Sequence, residues 1–341
     1  VSRGRYLAAL LALTALLIGA FVVSLGFGAV PLSPDEVWRV LILRTPWGSS
    51  AEQVGVTIVW DFRLPRGLLA ILIGAGLAVA GAAFQGLFRN PLADPFIVGA
   101  SGGAALGATL AITAGLTWRG AGFEPVPLAA FLGALAAVAV VYTVAEDGDH
   151  APAIALLLAG AALSTVLSAA VSLLMLLNDR AFHEVLNWLL GGLGGRSWSH
   201  VGAGAPYLLV GLVALWALAR PLDALALGDE TAQSLGLSLP RIRGAVVAAA
   251  SLATAAGVAV GGIIGFVGLI APHVARILFG ADHHRLIPAA ALLGALLLLL
   301  ADSLARTVLA PVELPVGIVT ALLGGPFFLY LLRTRQRNLG G

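Results

Sequence analysis

Apolar runs of roughly 20 residues, the length a helix needs to cross the hydrocarbon core of a bilayer, recur along the whole of this 341-residue chain. In hydrocarbon, every backbone N–H and C=O must be satisfied inside its own helix or in a closed barrel, and the period-2 alternation of barrel strands is missing. The sequence therefore reads as an all-α, polytopic membrane protein. On the length criterion about ten helices cross, at residues 6–28, 67–88, 96–115, 126–145, 152–177, 201–219, 242–262, 264–279, 286–310 and 315–332. Composition agrees, with 60% hydrophobic and 11% charged residues, where soluble domains carry roughly a quarter charged. Residues 1–28 are expected to be a retained first span, because their apolar run is longer than a signal peptide's and no clear small-residue cleavage site precedes Pro31.

The chain has no cysteine, which removes disulfides and thiolate metal sites. All 19 basic residues are arginine. Without lysine there is no Walker A phosphate loop and no Schiff-base chemistry, so any ATP that drives this protein is bound by another chain. An even number of spans puts both ends on one side, and Arg3, Arg5, Arg333, Arg335 and Arg337 mark that side as cytoplasmic. The acidic stretch Glu146-Asp-Gly-Asp149 falls on the same side.

Between the sixth and seventh runs lies the most polar interruption, Leu227-Gly-Asp-Glu-Thr-Ala-Gln-Ser-Leu-Gly236, followed by Pro240, Arg241 and Arg243. Asp229 and Glu230 complement the positive end of a short helix, Gly236 closes it in the left-handed conformation, and Pro240 forbids its continuation. A capped helix between spans reads as a handle for a soluble partner, so residues 226–240 are expected to be a cytoplasmic coupling segment. On the other side, Ser33-Pro34-Asp35-Glu36 starts a helix, and residues 178–200 hold a short helix over Ala181 to Leu190 with a glycine-rich return at 191–195.

Glycines at four-residue spacing, Gly99, Gly103 and Gly107, then Gly257, Gly261 and Gly265, predict close helix packing. The stretch from Gly76 through Phe84 to Pro91 resembles that from Gly257 through Phe266 to Pro272, as an inverted duplication would. Phe88 to Pro95 carries two prolines and several polar groups, irregular backbone suited to a gate. Polar residues within the spans are Gln85, His273, Arg276, Asp302 and Arg306. Asp302 and Arg306, four apart, are expected to neutralise each other, and His273 and Arg276 to be structural. The scarcity of unpaired carboxylates counts against a proton-coupled secondary transporter. Gly99-Ala-Ser-Gly102 also fits an intramembrane serine protease pattern with His273 as base, although such patterns cost little in a glycine-rich chain. Outside, His183 and His200 are candidate cargo contacts, and Arg180 and Arg196 candidates to pair with acidic groups on a partner.

In these motifs the chain resembles the permeases of bacterial ABC importers for iron-siderophores, haem and cobalamin, the FecCD or BtuC type. The resemblance covers nearly the whole length. It is carried by Arg63-Leu-Pro-Arg66, Asn90-Pro-Leu-Ala-Asp-Pro95, Gly99-Ala-Ser-Gly-Gly103, Trp188-Leu-Leu-Gly-Gly192, Leu227-Gly-Asp-Glu-Thr-Ala232, Gly265-Phe-Val-Gly-Leu-Ile-Ala-Pro-His273 and Leu314-Pro-Val-Gly317. It implies the type II ABC importer permease fold, a single transmembrane domain over 1–341, a homodimer, and a place in the bacterial cytoplasmic (inner) membrane. The implied partners are two ATP-binding subunits, which hold ATP and Mg, and a periplasmic or lipoprotein substrate-binding protein. No metal site, catalytic residue or nucleic-acid partner belongs to this chain, which is a transport subunit rather than an enzyme. The implied cargo is a bulky iron-siderophore or haem, with cobalamin as the alternative.

Residue by residue, the resemblance assigns Asp229, Glu230, Thr231 and Ser234 to the ATPase surface, with Leu235 anchoring the segment and Leu227, Gly228 and Gly236 completing it. Asn90, Pro91, Leu92, Ala153 and Ile154 fall at the cytoplasmic gate. Pro152-Ala-Ile154 stands where relatives commonly carry small polar residues. Arg180, His183, Trp188 and Arg196 fall at the outer mouth.

Overall fold

A computed structural model of the protein describes residues 2–28, 30–43, 50–116, 124–146 and 153–339, and these contain no strand. The chain runs through α1 (Arg3–Ser24), α2 (Pro34–Leu43), α3 (Ser50–Thr57), α4 (Leu64–Leu87), α5 (Ala100–Thr113), α6 (Pro125–Ala145), α7 (Ala153–Leu177) and α8 (Phe182–Leu189). It continues through α9 (Trp198–Ala217), α10 (Ala219–Leu227), α11 (Asp229–Ser234), α12 (Leu239–Gly261), α13 (Val267–Phe279), α14 (His283–Thr307) and α15 (Val316–Leu339). Asp147, Gly148, Asp149 and Pro152 lie outside the described residues.

Among the described residues, seven helices are long and apolar enough to cross a membrane: α1, α4 with the turns before it, α6, α7, α9, α12 and α14. Three more apolar helices, α5, α13 and the stretch Val316–Leu331 of α15, are shorter. Each apolar run of the sequence falls on one of these helices. The 14 residues of α5 and the 13 of α13 rise only about 20 Å. Irregular backbone precedes both, at 88–99 and 262–266. The first of these breaks is the one the prolines predict. The second is marked only by positive φ at Gly262 and Phe266.

α4 is the axis of the bundle. Of its most apolar window 83% is buried, against 17% for α7, and it packs on α9, α12, α13 and α14. The cause is its run of small residues from Gly74 to Ala83. A Cβ placed on Gly74 would overlap the carbonyl of Gly294 on α14, and one on Gly294 would overlap the carbonyl of Gly74. Small residues let backbones approach where lipid supplies no hydrophobic force between helices. Of the stripes expected from spacing, Gly103 and Gly107 do face the α6 backbone, whereas nothing lies within 4 Å of a Cβ built on Gly265. The proposed internal duplication also diverges locally: Phe84 lies within α4, but Phe266 is a left-handed residue ahead of α13.

Charges pin α4 to α14 near the start of α4. Arg66 Nε donates to both oxygens of Asp302, at 3.0 and 3.1 Å, and Nη1 donates to Glu313 Oε2 at 2.7 Å. Arg306 Nε lies 3.2 Å from Asp302 Oδ2, and its other nitrogens donate to the carbonyls of Phe27 and Ser24. The pairing expected between Asp302 and Arg306 is present, but it is half of the account. Asp302 is 0% exposed and Arg66 8%. A fully buried carboxylate has more lone pairs than one guanidinium at this geometry satisfies, so a second cation completes the site. Farther along α4, Arg276 Nη1 donates to Gln85 Oε1 at 2.9 Å, and Gln85 Nε2 to the Gly268 carbonyl at 3.5 Å, tying α13 to α4. The His273 ring packs edge-on against Phe327 of α15 at 5.8 Å.

Two predictions follow from this packing, both read from denaturation of the detergent-solubilised protein. Gly74→Ala forces a methyl against a backbone that cannot yield and is expected to cost about 1–3 kcal/mol, whereas Gly265→Ala stays within about 0.5 kcal/mol of the wild type. Asp302→Ala leaves Arg66 and Arg306 buried without their shared anion and is expected to cost about 3–5 kcal/mol.

Candidate functional site

Polar residues gather at the two ends of α4, about 35 Å apart along the helix axis. That separation matches a hydrocarbon core of about 30 Å plus its margins.

At the end where α4 stops, the local sequence builds a compact projection. Gly228, at φ +127, turns the chain between α10 and α11. Asp229 and Glu230 occupy the first turn of α11, and Gly236, at φ +79, closes it, with Leu237 N donating to the Ala232 carbonyl. Pro240 then sits in the first turn of α12. Ala232 is buried, while Glu230, Thr231, Ser234 and Gly236 are exposed. Leu227 is 74% and Leu235 65% exposed. The expectation that Leu235 anchors the segment is therefore corrected: Ala232 is the residue of α11 buried against the bundle, and Leu235, just past its end, is exposed.

Asp229 is bound inward. Arg89 Nη2 and Arg243 Nη2 donate to its two oxygens, the latter at 2.6 Å. Arg89, just past α4 at φ +48, also donates from Nε to the Leu225 carbonyl at 2.8 Å. α10 has its own tie to α14: Asp223 Oδ1 accepts from the His283 backbone N–H at 2.9 Å and lies 2.6 Å from its Nδ1.

The irregular backbone after Arg89 is satisfied by its own side chains. Asn90 Oδ1 accepts from Leu92 N at 3.0 Å and Asp94 Oδ1 from Phe96 N at 2.9 Å, two Asx turns that replace the helical bonds the prolines forbid. Asn90, Pro91 and Leu92 are half-buried there. Ile154, in the first turn of α7, is 71% exposed, and α7 crosses the same segment at Gly160, against the Ile97 carbonyl. The backbone of Ala153 opens α7, and its side chain lies outside the described residues.

At the opposite end, three glycine-containing motifs meet backbone to backbone. Gly192 N donates to the Gly261 carbonyl at 2.8 Å and Gly317 N to the Gly191 carbonyl at 3.3 Å. A Cβ on Gly191 would strike the Ile263 carbonyl, and one on Gly317 the Leu190 carbonyl. The return after α8, the break before α13 and the start of α15 thus satisfy one another. Beside them is a cavity of about 490 Å³ lined by Arg66, Glu124, Glu184, Trp188, Arg196 and Glu313 among others. A second, of about 290 Å³, adds Arg63 and Arg306 and shares Arg66, Arg196 and Glu313.

The residues expected at the mouth divide. Trp188 and Arg196 line the larger cavity, while Arg180 and His183 are exposed and line neither. His200 is buried, 3.1 Å from Arg196 Nη1 and 3.4 Å from Glu124 Oε2, and completes the capping box of α9 with Ser197. Its expected role as a cargo contact is corrected to a structural one, because the start of a helix needs its first N–H groups capped. Sequence reasoning gave no side-chain partner to Arg66, Glu124 and Glu313 at this end or to Arg89 and Arg243 at the other. Arg66 and Arg89 directly flank an apolar run, but their carboxylate partners Asp302 and Asp229 lie 236 and 140 residues away. Ser101 sits on α5 and His273 on α13.

Residues 16–334 match the FecCD transport family. The chain is 44% identical over 311 residues to the cobalamin import system permease protein BtuC of Halobacterium salinarum, a match over 90% of this chain and 83% of that protein. It is 41% identical over 334 residues to the Fe(3+)-citrate import system permease protein YfmE of Bacillus subtilis, covering 98% of this chain and 97% of that one. A solved structure presented as a metal-chelate type ABC transporter in an inward-facing conformation superposes with a TM-score of 0.83 at 34% identity, over 96% of this chain and 99% of its own. Matched by the family over residues 16–334 and by these relatives over nearly its whole length, the chain belongs to the FecCD transport family of membrane-embedded ABC importer permeases.

Proposed function

We propose that this chain is the permease subunit of an ATP-driven importer that carries a bulky metal chelate, an iron-siderophore or haem, delivered by a substrate-binding protein. The observation that carries the reading is α11, a six-residue helix exposed beyond the long apolar helices of a chain that belongs to an importer-permease family. Leu227, Glu230, Thr231, Ser234 and Leu235 offer a mixed apolar and polar surface to an ATPase subunit. Asp229, with Gly228 and Gly236, holds that surface in place. With no lysine in the chain, ATP and Mg belong to two partner subunits. Cobalamin is the second reading, favoured by the name of the Halobacterium salinarum relative.

In this proposal ten helices cross a bacterial cytoplasmic membrane, with α11 and both termini inside, and two copies of the chain enclose the pathway. The sparsely buried α7 supports that arrangement, because its apolar surface needs either lipid or a second copy against it. ATP binding draws the two nucleotide-binding subunits together, and α11 converts that motion into tilting of the bundle. Asn90, Pro91, Leu92, Ala153 and Ile154 form the inner closure. Arg180, His183, Trp188 and Arg196 belong to the outer mouth, where the binding protein docks. The pathway favours cargo by size and weak contacts, since cargo held tightly would not leave.

Three measurements test this. In proteoliposomes holding the permease, its ATPase and its binding protein, uptake is expected to require ATP, and uptake driven by a proton gradient alone refutes the reading. Glu230→Arg is expected to weaken ATPase association by about fivefold or more, roughly 1 kcal/mol, without lowering the stability of the permease. The cognate binding protein, screened against haem, ferric siderophores and cobalamin, is expected to retain an iron complex. Retention of cobalamin alone would select the second reading.

A further inference from the structure

Arg89 does two things with one side chain. Its Nε donates to the Leu225 carbonyl in the last turn of α10, and its Nη2 donates to the carboxylate of Asp229, the first residue of α11. Between those acceptors lies Gly228, whose φ of +127 makes it the joint where the chain changes direction. The five donors of a guanidinium form a rigid planar fork, so both sides of the joint are gripped by a single unit. The backbone at Arg89 is itself left-handed, φ +48, a conformation costly for a residue with a Cβ.

Among the described hydrogen bonds, the other side-chain tie to Asp229 is local in sequence. Arg243 belongs to α12, which follows α11 directly and lies 14 residues from Asp229. Arg89 lies 140 residues from Asp229 and extends from α4, the most buried of the long helices. α4 in turn touches α9, α12, α13 and α14. Among the described hydrogen bonds, Arg89 ties Asp229 directly to the end of α4, whereas Arg243 ties it to α12, which in turn packs on α4.

We infer that Arg89 is the positioning residue of energy coupling: it locks the joint between α10 and α11 to the end of α4, so that displacement of α11 moves the bundle axis instead of flexing the joint at Gly228. This rests on the reading of α11 as the ATPase contact. Without the fork, α11 still binds its partner, but its movement is absorbed locally.

The test uses the complete importer in proteoliposomes and reads ATP hydrolysed and cargo transported in the same vesicles. Arg89→Ala is expected to keep ATPase association and hydrolysis while transport per ATP falls about fivefold or more, the lower range of coupling between linked sites. Arg89→Lys keeps the charge but, as a point donor, does not hold both acceptors in a fork, and is expected to fall between Ala and wild type. A merely structural role would lower assembly, hydrolysis and transport together and leave their ratio unchanged, which overturns the inference. A wild-type ratio in Arg89→Ala overturns it as well. Should Arg89→Ala fail to assemble, the ratio is read in Arg89→Lys, where full wild-type coupling overturns the fork. ATP-dependent uptake by the wild type with an unaltered ratio in the variants removes this inference alone, whereas absence of ATP-dependent uptake by the wild type removes the underlying reading with it.

Discussion

Where Gly74 of α4 meets Gly294 of α14, no side chain separates the two backbones. Lipid tails are as apolar as leucine, so helices in a bilayer gain little from hiding apolar surface from one another and are held by contact and hydrogen bonding. Close approach along α4 supplies that contact toward α14 at Gly74 and toward α13 at Gly81. α4 is thereby fixed along most of its length, and its two ends can be used for other purposes.

Those ends carry charged clusters of opposite character. At one, Asp302 is fully buried between Arg66 and Arg306, with Glu313 against Arg66. Charges taken that far from water are expensive, and removing one partner is worse than removing all, so the cluster has one arrangement and keeps it. At the other, the side chains of Arg89 and Asp229 are 44% and 42% exposed. Water screens them, and a screened pair contributes little to stability. What the half-exposed pair supplies is geometry: one guanidinium spans the Leu225 carbonyl and the Asp229 carboxylate. The buried cluster holds the frame by the cost of breaking it, and the half-exposed one sets where α11 sits.

What was legible in the sequence was local. The apolar runs predict helices because satisfying the backbone in lipid is a property of each segment alone. α11 was readable because capping depends on residues within one turn of the helix end: Asp229, Glu230, Gly236 and Pro240 lie within or just beyond it. What was not legible depends on the other helices. Arg66 finds Asp302 across 236 residues and Glu313 across 247. The resemblance assigns Leu235 as an anchor, but Leu235 is 65% exposed and it is Ala232 that is buried. Four-residue glycine spacing predicts a face, not the neighbour that face meets. Gly103 meets one, whereas Gly265 has nothing within 4 Å.

The same distinction explains why the family is easy to recognise and the cargo is not. Gly191, Gly262 and Gly317 belong to backbone junctions, Asn90 and Asp94 to Asx turns, and Asp229 to a clamp on a joint. Each is demanded by how the chain folds or moves, whatever passes through it. Relatives named for cobalamin and for Fe(3+)-citrate can therefore both be more than 40% identical to this chain. That architecture leaves other residues free to vary. The exposed face of α8, which carries His183, is one such place, and the sparsely buried surface of α7 is another. Neither surface takes part in the close crossings of α4 or in its end clusters, so exchanges there leave that frame undisturbed.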